Sequence, residues 1–286
     1  MRHFPSPIAA IGKAALMVAA FAMQPGVVYA QDDPLLAEIK RNGAARIAIA
    51  TAPPYAFPSP SGEPQGYLVD VVRAVMKRLG VNRLNATVTT WDAMIPGLQA
   101  RQFDFVPAGL NITAPRCQVV VFSSPITAQQ DALWVLPGNP RKLAGYASVA
   151  RSPETMLAVL TGSSQEAFAL KSGVKPGQLV KVPDMQAGVA TVVSGRAHAF
   201  VASQFSVPNA AQRGVEGVVD TGSPVVGIGV AFRKDSVALR DAFNRQLDAM
   251  RASGELRGLY ETQYKFSTWD TLAKVTKASD LAEGCE

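Results

Sequence analysis

Histidine and cysteine are scarce in this 286-residue chain, with two of each, and His198 is the sole histidine beyond residue 30. A metal site would need His or carboxylate ligands at matching spacing near the cysteines, and the pattern around Cys117 and Cys285 lacks them. No run of five like charges occurs, so nothing reads as a nucleic-acid footprint. No apolar run approaches the ~20 residues needed to span a bilayer. A paired nucleophile and base, or acid and base, is also missing, which argues against catalysis. No cofactor is implied.

What is present begins with an export-type leader. Arg2 and Lys13 give a basic start, Ala14 to Met23 an apolar stretch, and Val28-Tyr29-Ala30 a small-residue cleavage signal, so residues 1–30 read as a signal peptide with Gln31 as the mature start. No cysteine follows the apolar stretch, which disfavours a lipid anchor, and the mature protein is expected to be soluble and periplasmic. Removing the leader leaves 26 basic against 22 acidic residues, scattered over a solvated surface. In an exported chain two cysteines point to a disulfide, here one tying the C-terminal tail back to the segment around residue 117.

With 48% hydrophobic residues the chain can bury a large core. Apolar residues recur at helical spacing over 66–79 (Leu68, Val71, Val72, Val75, Met76, Leu79) and along a late helix carrying Leu239, Phe243, Leu247 and Met250, for which Asp235 and Ser236 are expected caps. Segment 58–64 reads as a plain surface loop. Strands are expected at 46–51, 85–90, 103–106, 119–122, 132–136, 156–160, 179–182, 198–202 and 225–232, with helices between most of them. That alternation predicts an α/β protein with mostly parallel sheets. Pro137 to Pro140 and Thr221 to Pro224 mark two boundaries.

In open α/β sheets ligands sit beyond the carboxyl ends of strands. Tyr55, Trp91, Gly109 to Arg116 (including Asn111), Gly162-Ser163-Ser164 and Ser203 follow predicted strands, so all are candidate ligand-binding residues. Arg116 can offer two parallel N–H bonds to a carboxylate. The Gly162 to Ser164 turn opens a helix whose free N–H groups also favour an anion, and Tyr55 and Trp91 can cover an apolar or cationic face. A small zwitterion with a carboxylate at one end fits this set. Asp92 and Glu166 each fall in the first turn of a helix, where a carboxylate usually serves the dipole, and His198 opens a strand at the end away from these residues.

The stretch WDAMIPGLQARQFDFVPAGLNITAPRC (91–117) followed by VVVFSSPI, with RIAIATAPPYAF before it, GYLVDVVRAVMKRLG at 66–80 and VSGRAHAFVAS at 193–203, resembles the family 3 extracellular solute-binding proteins of polar amino-acid ABC importers. The run ITAPRC is most similar to the ectoine/hydroxyectoine-binding branch. The resemblance implies a type II periplasmic-binding-protein fold: lobe 1 at 31–136 plus 225–286, lobe 2 at 137–224, two hinge crossings, and a monomer that hands its ligand to ABC permease subunits. It also implies that Arg116 pairs with the ligand carboxylate, helped by Ser164, while Tyr55 and Trp91 stack on the ligand. The chain departs from both patterns at the cationic end. Amino-acid binders carry Asp where this chain has Ser203, and ectoine binders carry an acid and an aromatic where it has Ala52 and Asn111. Some members of the fold are exported dehydratases of cyclic carboxylates, and others serve sensing.

Overall fold

A computed structural model describes residues 1–3 and 33–285. The expected leader and its cleavage signal fall almost wholly outside the described residues, and everything below concerns the compact unit Asp32–Glu286. Among the described residues no helix is long and apolar enough to cross a membrane.

The chain opens with α1 (Pro34–Asn42), capped by Asp33, whose carboxylate accepts from the Leu36 amide at 2.8 Å. It ends at Gly43 with φ 69°, a left-handed conformation that costs glycine little. β1 (Ala45–Ile49) follows. The segment read as a plain loop, 58–64, connects a short antiparallel pair whose strands overlap its ends, β2 (Phe57–Pro58) with β3 (Pro64–Gln65). Next, α2 (Tyr67–Arg78) buries the apolar stripe seen in its sequence, and each of its large aliphatic side chains contributes ~2 kcal/mol by leaving water. β4 (Leu84–Val88) pairs in parallel with β1, which completes the first βα unit.

Beyond Trp91, α3 (Met94–Gln99) leads to the apolar stretch expected as a strand at 103–106. That stretch makes only isolated bridges, Phe105 with Ile47 and Val106 with Ala231, because Pro107 has no amide hydrogen to extend the ladder. One turn of helix, α4 (Ala114–Cys117), then carries Arg116. Its four residues include a proline and show no period, so it escaped the sequence reading. β5 (Val120–Phe122) and β6 (Thr127–Gln129) lead out of this region.

The second region consists of β7 (Asp131–Val135), α5 (Tyr146–Arg151), β8 (Leu157–Leu160), α6 (Ser164–Lys171), β9 (Leu179–Val182), α7 (Met185–Val193), β10 (Ala199–Ser203) and β11 (Glu216–Val219). They form a five-stranded sheet of order β11-β7-β10-β8-β9. β7, which the sequence division assigned to lobe 1, is thus an interior strand of this second sheet. The chain returns through β12 (Val226–Ile228), antiparallel to β6, and β13 (Ala231–Arg233), antiparallel to β5. The single strand expected at 225–232 is interrupted at Gly229, where a Cβ would lie 3.1 Å from the Ser123 carbonyl oxygen.

The fold is the two-lobed α/β architecture of type II periplasmic binding proteins, with more antiparallel pairing than strand and helix alternation suggests. β8 is parallel to β9 and β10, and β1 to β4; the other five ladders are antiparallel. Part of the reason is topological: the outgoing and returning passes between the lobes run in opposite directions and pair with one another.

The long helix α8 (Val237–Ala252) buries Leu239, Phe243, Leu247 and Met250 as its spacing predicts. Its expected side-chain cap does not form. Ser236 occupies the cap position but donates its hydroxyl to Asp235 at 3.1 Å, while Asp235 pairs with Arg101 and Arg233. The helix expected at 256–264 is a short α9 (Glu255–Arg257) running into a π-helical stretch, Gly258–Gln263. After α10 (Trp269–Leu272) the tail is closed by a Cys117–Cys285 disulfide that spans 168 positions with the Cα atoms 5.2 Å apart.

Candidate functional site

Tyr55, Trp91, Asn111 and Arg116 are the polar and aromatic side chains that reach the site from the first lobe. Tyr55 lies just past β1, where the Leu68 amide donates to its carbonyl at 2.9 Å. Gly66 (φ 113°) allows that approach, since a Cβ there would sit 2.5 Å from the same oxygen. The Tyr55 hydroxyl donates to Gln129 Oε1 on β6 at 2.6 Å, and burial pushes its pKa well above that of a free phenol. Trp91 follows β4, and a Cβ on Gly109 (φ 102°) would lie 3.5 Å from its ring, so the indole rests against bare backbone.

Arg116 and Asn111 complete this side. Arg116 donates through Nη1 to the Asn111 carbonyl oxygen (2.9 Å) and through Nη2 to the Gly162 carbonyl oxygen (3.3 Å). Desolvation lowers the pKa of its guanidinium to about 10, so it keeps its charge at neutral pH. Among the described residues no carboxylate forms an ion pair with it. A desolvated cation whose hydrogen bonds go only to neutral carbonyls is an anion site in waiting.

The second lobe supplies the start of α6. Ser163 is its cap, with Oγ accepting from the Glu166 amide at 3.1 Å. Glu166 in turn accepts from the Gly162 amide at 2.9 Å and pairs with Lys181 at 2.8 Å, which stiffens the turn. Gly162 (φ 74°) packs against Asp92 of the other lobe, where a Cβ would meet the Asp92 Cβ at 3.1 Å. Ser164 Oγ accepts from Asn111 Nδ2 at 2.8 Å. The two lobes are therefore tied at Asn111–Ser164 and at Arg116–Gly162.

Tyr55, Trp91, Gly109, Asn111, Arg116, Ser164 and Ser203 line one cavity of about 20 Å³. Gly162 and Ser163, both expected at the ligand, are not in its lining: Gly162 reaches Arg116 through its carbonyl, and the Ser163 hydroxyl is spent on the cap. Leu160, Gln165, Met185, Ala202, Ser206 and Ile228 also line the cavity and were not anticipated. Gln165 and Met185 had a readable signal, since each falls in the first turn of a helix that follows a strand.

Behind Gln165 lies a group the sequence reading passed over. Asp131, the first residue of β7 and opposite Ser203 in the β7/β10 register, is 4% exposed. Its carboxylate accepts from Gln165 Nε2 at 2.8 Å and from the Tyr146 hydroxyl at 2.7 Å. Burial raises its pKa, partly offset by those two bonds. The catalytic candidates weighed from sequence lie off the cavity lining. Glu166 is committed as described, and His198 accepts the Met156 amide at Nδ1 (2.8 Å) with its pKa lowered chiefly by burial.

Comparison with known proteins is consistent across sequence and structure. The model of the bacterial extracellular solute-binding proteins, family 3, matches residues 46–265. A probable amino-acid ABC transporter periplasmic-binding protein of Sinorhizobium fredii is 32% identical over 235 residues, 78% of each chain. The lysine/arginine/ornithine-binding periplasmic protein of Escherichia coli is 25% identical over 229 residues, covering 77% of this chain and 86% of that protein. Among solved structures, EhuB in complex with hydroxyectoine superposes with a TM-score of 0.82 at 35% identity, covering 88% of this chain and 98% of that one. An ancestral amino-acid-binding protein described as a precursor of cyclohexadienyl dehydratase gives 0.72 at 29% identity, over 80% and 99%.

Proposed function

We propose, on the premise that the chain belongs to family 3 of the bacterial extracellular solute-binding proteins, that it is the periplasmic receptor of an ABC importer for a small carboxylate-bearing zwitterion, either ectoine-like or a polar amino acid. Arg116 carries this reading: a desolvated guanidinium, in no ion pair with a carboxylate among the described residues, at the seam between the lobes. The ligand carboxylate would replace the bond from Arg116 to Gly162 and draw on the amides at the start of α6. Tyr55 and Trp91 would cover the ligand's cationic face. Closure then follows from ligand contacts to both lobes, which favour the closed form over the open one. We place the working division between lobes near residues 130 and 220, where β7 and β11 meet the crossing strands.

A thermal-shift screen with ectoine, hydroxyectoine and the common amino acids tests the reading, since a ligand that binds only the folded protein raises its Tm. Arg116→Ala should weaken the ligand found by ~2–5 kcal/mol in calorimetry. Unchanged affinity in that variant would sink the assignment.

A dehydratase is the second reading, favoured by the likeness to the ancestral precursor. Against it, the side chains lining the cavity include neither a carboxylate nor an imidazole. Turnover of prephenate or arogenate by the purified protein would reverse the order. Whether the closed form feeds a permease or a sensory partner is decided by deletion: loss of uptake of the bound solute marks transport.

A further inference from the structure

A continuous chain of side-chain hydrogen bonds crosses the cleft and ends on Asp131. Asn111 Nδ2 donates to Ser164 Oγ (2.8 Å), the Ser164 hydroxyl donates to Gln165 Oε1 (3.2 Å), and Gln165 Nε2 donates to Asp131 Oδ1 (2.8 Å). Its direction is set at one end. An ionised carboxylate only accepts, and the other Asp131 oxygen already accepts from Tyr146. Gln165 must therefore turn its NH₂ towards Asp131 and its carbonyl towards Ser164. Ser164 must then spend its hydrogen on Gln165 and accept from Asn111. Asn111 is left with its carbonyl oxygen free.

That oxygen, Asn111 Oδ1, is buried and has no partner, on a side chain that is 4% exposed and lines the cavity. A buried acceptor without a donor is costly until something donates to it. We infer that Asp131 is a positioning residue for specificity: through Gln165 and Ser164 it holds Asn111 as an acceptor, so the site takes carboxylates that carry an N–H donor close to the carboxylate.

The proximity follows from Arg116, which donates to the main-chain oxygen of the same Asn111. A carboxylate on Arg116 and a donor on Asn111 Oδ1 must then belong to neighbouring atoms of the ligand. An α-ammonium satisfies this, as does a ring N–H beside the carboxyl-bearing carbon. A fully N-methylated betaine does not, because it offers the free oxygen no hydrogen. The inference rests on the carboxylate reading above and narrows it.

Calorimetry with ectoine and L-arginine as N–H-bearing probes, and proline betaine as the probe without N–H, tests it in the intact mature protein. The wild type should bind at least one of the first two about tenfold or more tighter than proline betaine. In Asp131→Asn the fixed end is lost, because an amide can also donate, and affinity for that N–H probe should fall about tenfold while affinity for proline betaine stays within about twofold. Gln165→Met, which breaks the chain in its middle but also alters the cavity wall, should weaken the N–H probe clearly more than proline betaine and serves, read as the ratio of the two losses, if Asp131→Asn does not fold. Equal losses for both kinds of probe would mark mere structural damage and overturn the inference. So would no loss for the N–H probe, or a wild type that binds proline betaine as tightly. A wild type that binds none of the three and gains Tm with no solute of the thermal-shift screen would sink the carboxylate reading itself, and this inference with it.

Discussion

At the scale of single residues, the site combines one fixed charge with several neutral hydrogen-bonding groups. Arg116 keeps its proton up to about pH 10, and burial moves Tyr55 further from neutrality. Asp131, whose pKa burial raises, lies behind Gln165 and off the lining, as does His198. Affinity for ectoine should accordingly be flat between about pH 7 and pH 9. Titration calorimetry in matched buffers checks this, and a slope near one log unit per pH unit would point to a titrating contact not identified above. Arg116 was readable from its place after a strand and from the surrounding motif. The state of Asn111 was not. Its departure from the aromatic pattern was visible, but the free oxygen depends on Asp131, which lies twenty positions along the chain and joins the site only through sheet register and the packing of α6.

At the scale of elements, the long periodic segments were legible and the short ones were not. α2 and α8 repeat their apolar residues often enough to fix a face, and β9 occupies the expected 179–182. By contrast, α4 and the β2/β3 pair are too short to show a period, and tertiary contacts decide them. α4 matters most, because it orients Arg116 and is bonded through Cys117 to the tail. In the loop-entropy picture a closure this long is worth up to ~5 kcal/mol. Cys285→Ser should lower unfolding stability by ~2–4 kcal/mol in denaturant titration. Thiol titration of the denatured, unreduced wild type should find no free thiol. The variant should also bind its ligand more weakly than its stability loss alone explains, since Arg116 is the next residue along.

For the whole molecule, two lobes and two crossings were foreseeable from the Pro/Gly boundaries and the recurring βα units. The membership of β7 was not, because an apolar strand carries no label for the sheet it joins. Its position gives Asp131 a place at the junction of the crossing strands and the second sheet, close to where the lobes would bend. The bonds Asn111–Ser164 and Arg116–Gly162 hold the molecule shut through its own atoms. The space between them, about 20 Å³, has room for about one water and none for a ring bearing a carboxylate. Solute must therefore meet an opened form, which carries a consequence for time and not only for affinity. In stopped-flow mixing, with Trp91 of the cavity wall among the reporters, the observed rate should climb with solute concentration and then level off at the rate at which the lobes part. A rate that rises without limit would mean that the entrance is never shut.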